Sequence, residues 1–176
     1  MLKENFELLA NYNQWMNRKL YDVALELGYV ALTKDEGAFF GSIRGTLNHI
    51  LVGDILWLKR FADHPVQLIS LEPLRTMEKP NSLSSLLHEN IQALNLARVS
   101  LDKVIIQFCK ELNDELLSTE LNFKDMQENA YQAQFGKLIQ HFFNHQTHHR
   151  GQITTLFSQR GIDIGSTDLL KCIREL

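Results

Sequence analysis

Apolar residues recur along this chain in alternating steps of four and three over four long stretches, the spacing of helices with one buried face. The first reads Leu2, Phe6, Leu9, Asn13, Met16, Leu20, Val23, Leu27, with Gly28 as its stop. The second, Ile43, Leu47, Ile50, Asp54, Trp57, Phe61, opens after Ser42 as an N-cap and ends near Asp63, before Pro65. The third starts around Ser82 or Ser84 and carries Leu87, Ile91, Leu94, Arg98, Leu101, Ile105, Phe108, Leu112. The fourth runs from about Gly136 to Gly161 through Leu138, Phe142, His145, His149, Ile153, Leu156. Loops are expected from Gly28 to Gly41 and from His64 to Asn81, where all three prolines lie. Leu116 to Gln134 has no helical period, and its alternating Leu121, Phe123 and Tyr131 predict a short hairpin. Thr167 or Asp168 caps a short terminal helix. The pattern predicts an all-α chain: one domain over residues 1–176, a four-helix bundle with long inter-helix loops and a short C-terminal helix.

Each seam is broken near its middle by polar residues: Asn13, Asp54, Arg98, and His145 with His149. Midpoints of antiparallel helices meet at one level, so the simplest expectation is a polar pocket halfway along the core. The competing expectation is a buried Asp54–Arg98 ion pair with Asn13 fixing helix register. That account leaves the two histidines without a reason.

Composition narrows the function classes. At 44% hydrophobic and 22% charged residues, this is the make-up of a globular domain. A formal net charge of -3 argues against general nucleic-acid binding, which wants a basic face. No run approaches a membrane span, and the N-terminal MLKENFELLANY is amphipathic without the apolar core of a signal peptide. Cys109 and Cys172 lie far apart, as in a reducing compartment, so a cytoplasmic location is expected.

The chemistry concentrates in HFFNHQTHHRGQ, where four of the seven histidines fall within nine residues. His145 and His149, four apart, share one helix face, and this is the spacing at which one helix supplies two imidazole ligands to one ion. A catalytic site wants a third ligand, for which His49, Asp54, His64 and His88 are the candidates. His64 beside Pro65 and His88 on a solvated helix face are the weaker pair. Asp54 lies on its seam, whereas the second helix is apolar nearly all round and periodicity does not aim His49. Five residues separate the two by about 140° and about 7.5 Å, so they do not readily serve one ion.

The stretches NYNQWMNRKLYD, GSIRGTLNHILVGDILWLKRF and HFFNHQTHHRGQITTLFSQRGID resemble the DinB/YfiT-like superfamily, the damage-inducible four-helix family unrelated to the polymerase of the same name. The resemblance covers nearly the whole chain. It implies that a histidine of the second-helix LNH motif joins the two of the fourth helix, giving His49, His145 and His149 as ligands and Asp54 a supporting role. Asn144, Arg150 and Gln152 flank the ligands, where they would orient imidazoles or substrate; the alternative is that Arg150 and Gln152 tie helix ends and loops together. His148, turned about 100° from His149, is expected in solvent or at a helix contact. His141 is expected on the surface, with a pocket-edge acid or base as the alternative. Trp15 and Trp57 are expected in helix packing, and Tyr12 and Tyr131 are within conceivable reach of the pocket.

Characterised relatives include thiol S-transferases and a thiol-dependent isomerase. The resemblance therefore implies a metal-dependent enzyme acting on a small-molecule substrate with a low-molecular-weight thiol as cofactor. Zinc and nickel are the expected metals. The alternatives are a metal-dependent hydrolase and a non-enzymatic, stress-induced metal-binding protein. Apolar positions left outward on the first helix and the terminal segment would allow a homodimer, a common state among such relatives. The irregular segments His64–Asn81 and Leu116–Gln134 are expected to wall the pocket mouth.

Overall fold

The computed structural model describes residues 2–175. Four long helices dominate it: α1 (Leu2–Glu26), α3 (Ile43–Ala62), α5 (Ile91–Glu111) and α7 (Phe135–Gln159). They pack in the cyclic order α1, α5, α3, α7, each against its two neighbours in that ring. Between them lie short helices α2 (Gly28–Thr33), α4 (Glu72–Thr76, after a 3-10 turn at Ile69–Leu71) and α6 (Asp114–Ser118), with α8 (Leu169–Glu175) following α7. Strands β1 (Glu120–Lys124) and β2 (Ala130–Gln134) form an antiparallel hairpin with Leu121 opposite Ala133 and Phe123 opposite Tyr131. The architecture is thus mainly helical, as expected, with one small sheet where the sequence predicts a hairpin. No helix among the described residues is long and apolar enough to cross a membrane.

The predicted seams form the interior. Phe6, Leu20, Ile43, Leu47, Phe61, Leu94, Ile105, Phe108, Phe142, Ile153 and Phe157 are all buried, and Phe61 stacks on Phe108 and meets Phe135 and Phe142 edge to face. Ser42 caps α3 as expected, its Oγ accepting from Gly45 N at 3.0 Å.

Three boundaries depart from the sequence pattern. Gly28, at φ +74°, ends α1, but the chain re-enters helix at once as α2 instead of forming a loop. The prolines of 64–81 frame α4 and its 3-10 turn, so this segment is only partly loop. The third helix begins at Ile91 with Asn90 as N-cap, not at Ser82 or Ser84. Here side chains outcompete the helix for backbone groups. Ser82 Oγ takes the amide of Ser84, and Asn48 of α3 pins His88 by donating to its carbonyl and accepting from its amide. The late start leaves residues 82–90 as a non-helical segment with a turn at Ser82–Ser85, and its Leu83 carbonyl reaches His49.

The polar breaks of three seams, Asn13, Asp54 and Arg98, meet in one buried network. Arg98 NH1 donates to Asp54 Oδ2 at 2.5 Å and Arg98 NH2 lies 2.9 Å from Asp102 Oδ1. Asn13 and Asn17 donate to Asp102, and Arg150 of α7 donates to Asn13 Oδ1. Burial works against the charge on Arg98, but the two carboxylates outweigh it and raise its pKa. Burial pushes Asp54 up against the pull of Arg98. The ion-pair expectation is therefore the one realised, and the histidines are drawn elsewhere.

Candidate metal centre

α7 carries two functional faces. Gln146 and Arg150 are turned into the buried network, whereas His145 and His149, one residue before each, point along α3 toward His49. His49 Nε2 lies 3.2 Å from His145 Nε2 and 3.1 Å from His149 Nε2. Two nitrogens sharing one ion at about 2.0–2.1 Å stand roughly 2.9 Å apart at a right angle and roughly 3.4 Å apart at the tetrahedral angle, and both distances fall between these limits.

The remaining ring nitrogens fix where the protons are. His49 Nδ1 is 2.8 Å from the carbonyl of Leu83, which can only accept, so this nitrogen carries the proton and Nε2 is a bare lone pair. His149 Nδ1 donates to Gln152 Oε1 at 2.8 Å, which likewise bares its Nε2. Two acceptors therefore face each other at 3.1 Å. A proton on His145 Nε2 can satisfy its own contact with His49 but not this one. An imidazolium is disfavoured: burial lowers the pKa of His49 to about 4 and of His145 to about 3, with neighbouring histidines adding to both, and burial lowers His149 as well. Facing lone pairs on neutral rings call for a cation between them.

The surroundings position the rings. Phe40 stacks on His49 with centroids 3.6 Å apart and planes 16° from parallel. His145 lies against the backbone of α3 at Gly53, where an added Cβ would stand 2.6 Å from its Cε1. On the open side, His49 and His145 face a cavity of about 370 Å³ whose walls include Trp57, Arg60, Leu83, Met126 and His141. The larger cavity beside the hairpin, about 670 Å³, adjoins this one at Leu56 and Arg60 but holds none of the three histidines.

The profile of the DinB family matches residues 1–175. The chain belongs to the DinB family. It is similar to Protein DinB of Bacillus subtilis (strain 168), 24% identical over 165 residues that cover 91% of this chain and 88% of that protein. No solved structure matches.

In this DinB-family protein the structure brings together His49, His145 and His149 and none of the other candidates. Asp54 is fully buried on Arg98 and does not face the cavity. Arg150 is spent on Asn13 and Thr147, with its guanidinium 5.5 Å from the Tyr12 ring centroid. Asn144 is exposed and bonded to Gln140. His64 is bonded to Thr119 and Val66, and His88 precedes α5 instead of riding on it. His148 is exposed and meets Gln152, as expected. His141 is exposed, as expected, and also packs on Trp57 with centroids 4.9 Å apart and lines the cavity edge. Tyr12 bonds to the carbonyl of Thr167, and Tyr131 sits on the hairpin, so neither tyrosine lines this cavity. Phe40, Leu83 and Gly53 carry no signal of their own in the sequence, because each acts through a carbonyl, a ring face or a missing Cβ.

Two predictions follow from this geometry. Gly53→Ala should raise or preserve the stability of the metal-free protein, since alanine is favoured over glycine inside a helix by about 1 kcal/mol. The same methyl displaces His145, so affinity for zinc in a chelator competition should fall on the order of 10- to 100-fold, the range of losses when ligand orientation is disturbed. Unchanged affinity would show that His145 does not need this cradle. Second, the metal-free protein should lose stability as pH falls from about 6.5 toward 4. The folded histidines stay neutral while the unfolded ones take up protons, so acid favours the unfolded chain. Urea midpoints of the metal-free protein at pH values spanning that window, against a His49→Gln, His145→Gln variant, test this. An equal pH response in both would assign it to other groups.

Proposed function

We propose that this protein binds one divalent metal ion, zinc or nickel, through Nε2 of His49, His145 and His149, and is a metal-dependent enzyme of the thiol S-transferase type. The observation that carries the metal assignment is the pair of bare imidazole nitrogens held face to face beside a third. Three neutral ligands leave the ion its full charge, and the cavity side leaves it an open position. When bound, such an ion lowers the pKa of a thiol or a water molecule in that position.

The chain's own residues supply the rest. Leu83 and Gln152 orient two of the rings, Phe40 covers one side of His49 against water, and the cavity takes a small molecule. The thiol reading draws on the family resemblance, and the setting agrees with it. Asp54 is locked on Arg98 away from the cavity, and Asp125, which lines it, accepts from the amides of Gln127 and Asn129 and from the Asn129 side chain, which disfavours the hydrolase alternative. The four-helix ring fits a bundle that keeps the site on rigid elements.

The test is to load the full chain with zinc or nickel and incubate it with cysteine, glutathione and other small thiols plus an electrophilic aryl halide, following thiol consumption. Consumption that stops on chelation supports the transferase. A protein with one tightly held ion that neither binds nor consumes any thiol leaves the non-enzymatic metal-binding reading in its place.

A further inference from the structure

Arg60 lines the same cavity as His49 and His145, and among the described residues it makes no ion pair. It lies on the same face of α3 as His49: eleven residues bring the two to within about 20° of one direction and roughly 16 Å apart along the axis. Helix side chains lean toward the N-terminus, and the Arg60 guanidinium leans back over Trp57, 4.6 Å from its ring centroid.

The guanidinium is held in place without being neutralised. Its Nε donates to the carbonyl of Lys124 at 3.1 Å, and Phe123 flanks it at 5.5 Å. Its two terminal nitrogens have no hydrogen-bond partner among the described residues, and no carboxylate lies within ion-pair distance. Asp125 is near enough to act on it electrostatically, yet that carboxylate is occupied by the amides of Gln127 and Asn129 and by the Asn129 side chain. The neighbouring cations are committed: Lys59 donates to the carbonyls of Leu74 and Met77, and Lys124 pairs with Glu128. A guanidinium fixed by stacking, with its fork free, is suited to bidentate capture of a planar anion.

We propose that Arg60 is the specificity-determining residue of this site and grips a carboxylate of the substrate, selecting small thiols that carry a carboxylate and fit the cavity it shares with His49 and His145. This rests on the reading that His49, His145 and His149 hold an ion that accepts a thiol. The full chain, loaded with cobalt, is titrated with mercaptohexanoate and with the uncharged mercaptohexanol. Dissociation constants are read from the sulfur-to-cobalt absorption band.

Wild type should bind the acid tighter than the alcohol by roughly 10- to 100-fold, the worth of a charge-assisted contact. Arg60→Gln should bring that ratio to about one with the alcohol's affinity unchanged, and Arg60→Lys should keep part of the preference. If Arg60→Gln does not fold, the Arg60→Lys comparison decides alone. Equal affinities for acid and alcohol in wild type, or a preference that survives Arg60→Gln, overturn the assignment of Arg60 and leave the thiol reading standing. Cobalt-loaded protein that shows no band with either compound overturns the thiol reading and this proposal with it.

Discussion

Replacing His145 by alanine should leave a folded protein that no longer retains a divalent ion through purification. His145 is a partly buried residue of the cavity wall, and its removal relieves one of the close nitrogen contacts in the metal-free state. Two ligands hold an ion far more weakly than three. The affinity loss should exceed the roughly 10- to 100-fold typical when only an outer partner of a ligand is removed. Plasma mass spectrometry on untagged proteins purified without added metal provides the measurement, with about one equivalent expected in wild type and almost none in the variant. Bound metal should also raise the wild-type melting temperature by mass action, about 4 kcal/mol of stabilisation at a thousandfold excess over Kd, and the variant should not respond. Equal metal content in both proteins would remove His145 from the site.

Arg98→Met should be the most damaging single change to the fold, at about 3–5 kcal/mol. The arginine is 1% exposed and holds Asp54 and Asp102, both buried, so its loss strands two carboxylates in the core. Asp54→Asn should cost less, because Asp102 remains to balance Arg98. Urea denaturation of the three proteins gives the order. The fraction of Arg98→Met that folds should still bind its metal, since the network and the histidines use different faces of α7. Metal loss in parallel with a small stability change would instead make the network part of the site.

The two experiments separate roles that the sequence had merged. All the polar seam residues were legible as interruptions of an apolar stripe, and a single midway pocket was the natural expectation. The structure sorts them into two groups. Asp54, Arg98 and Asn13 join a charge-balanced cluster with Asn17, Asp102 and Arg150, whereas His145 and His149 turn to the other side of the same helix. A period of 3.6 places residues on a broad face but does not resolve the side chains at its two margins, which here belong to different neighbours.

Periodicity determined the four long helices and most of their buried positions, because a stripe of apolar side chains has no other way to leave water. The i,i+4 histidines were likewise set by the sequence, since their spacing alone puts both imidazoles on one face. Their third partner was not: α3 is buried on nearly every side, and His49 faces the site only because α7 packs where it does. The late start of α5 and the placement of Phe40 over His49 were also decided by tertiary structure. In each case the deciding contact joins residues far apart in the chain: Asn48 with His88, Leu83 with His49, Gly53 with His145. Local patterns report which face of an element is buried, whereas the pairing of faces depends on how distant elements fit together, and the bare nitrogens that call for a metal arise only from that fit.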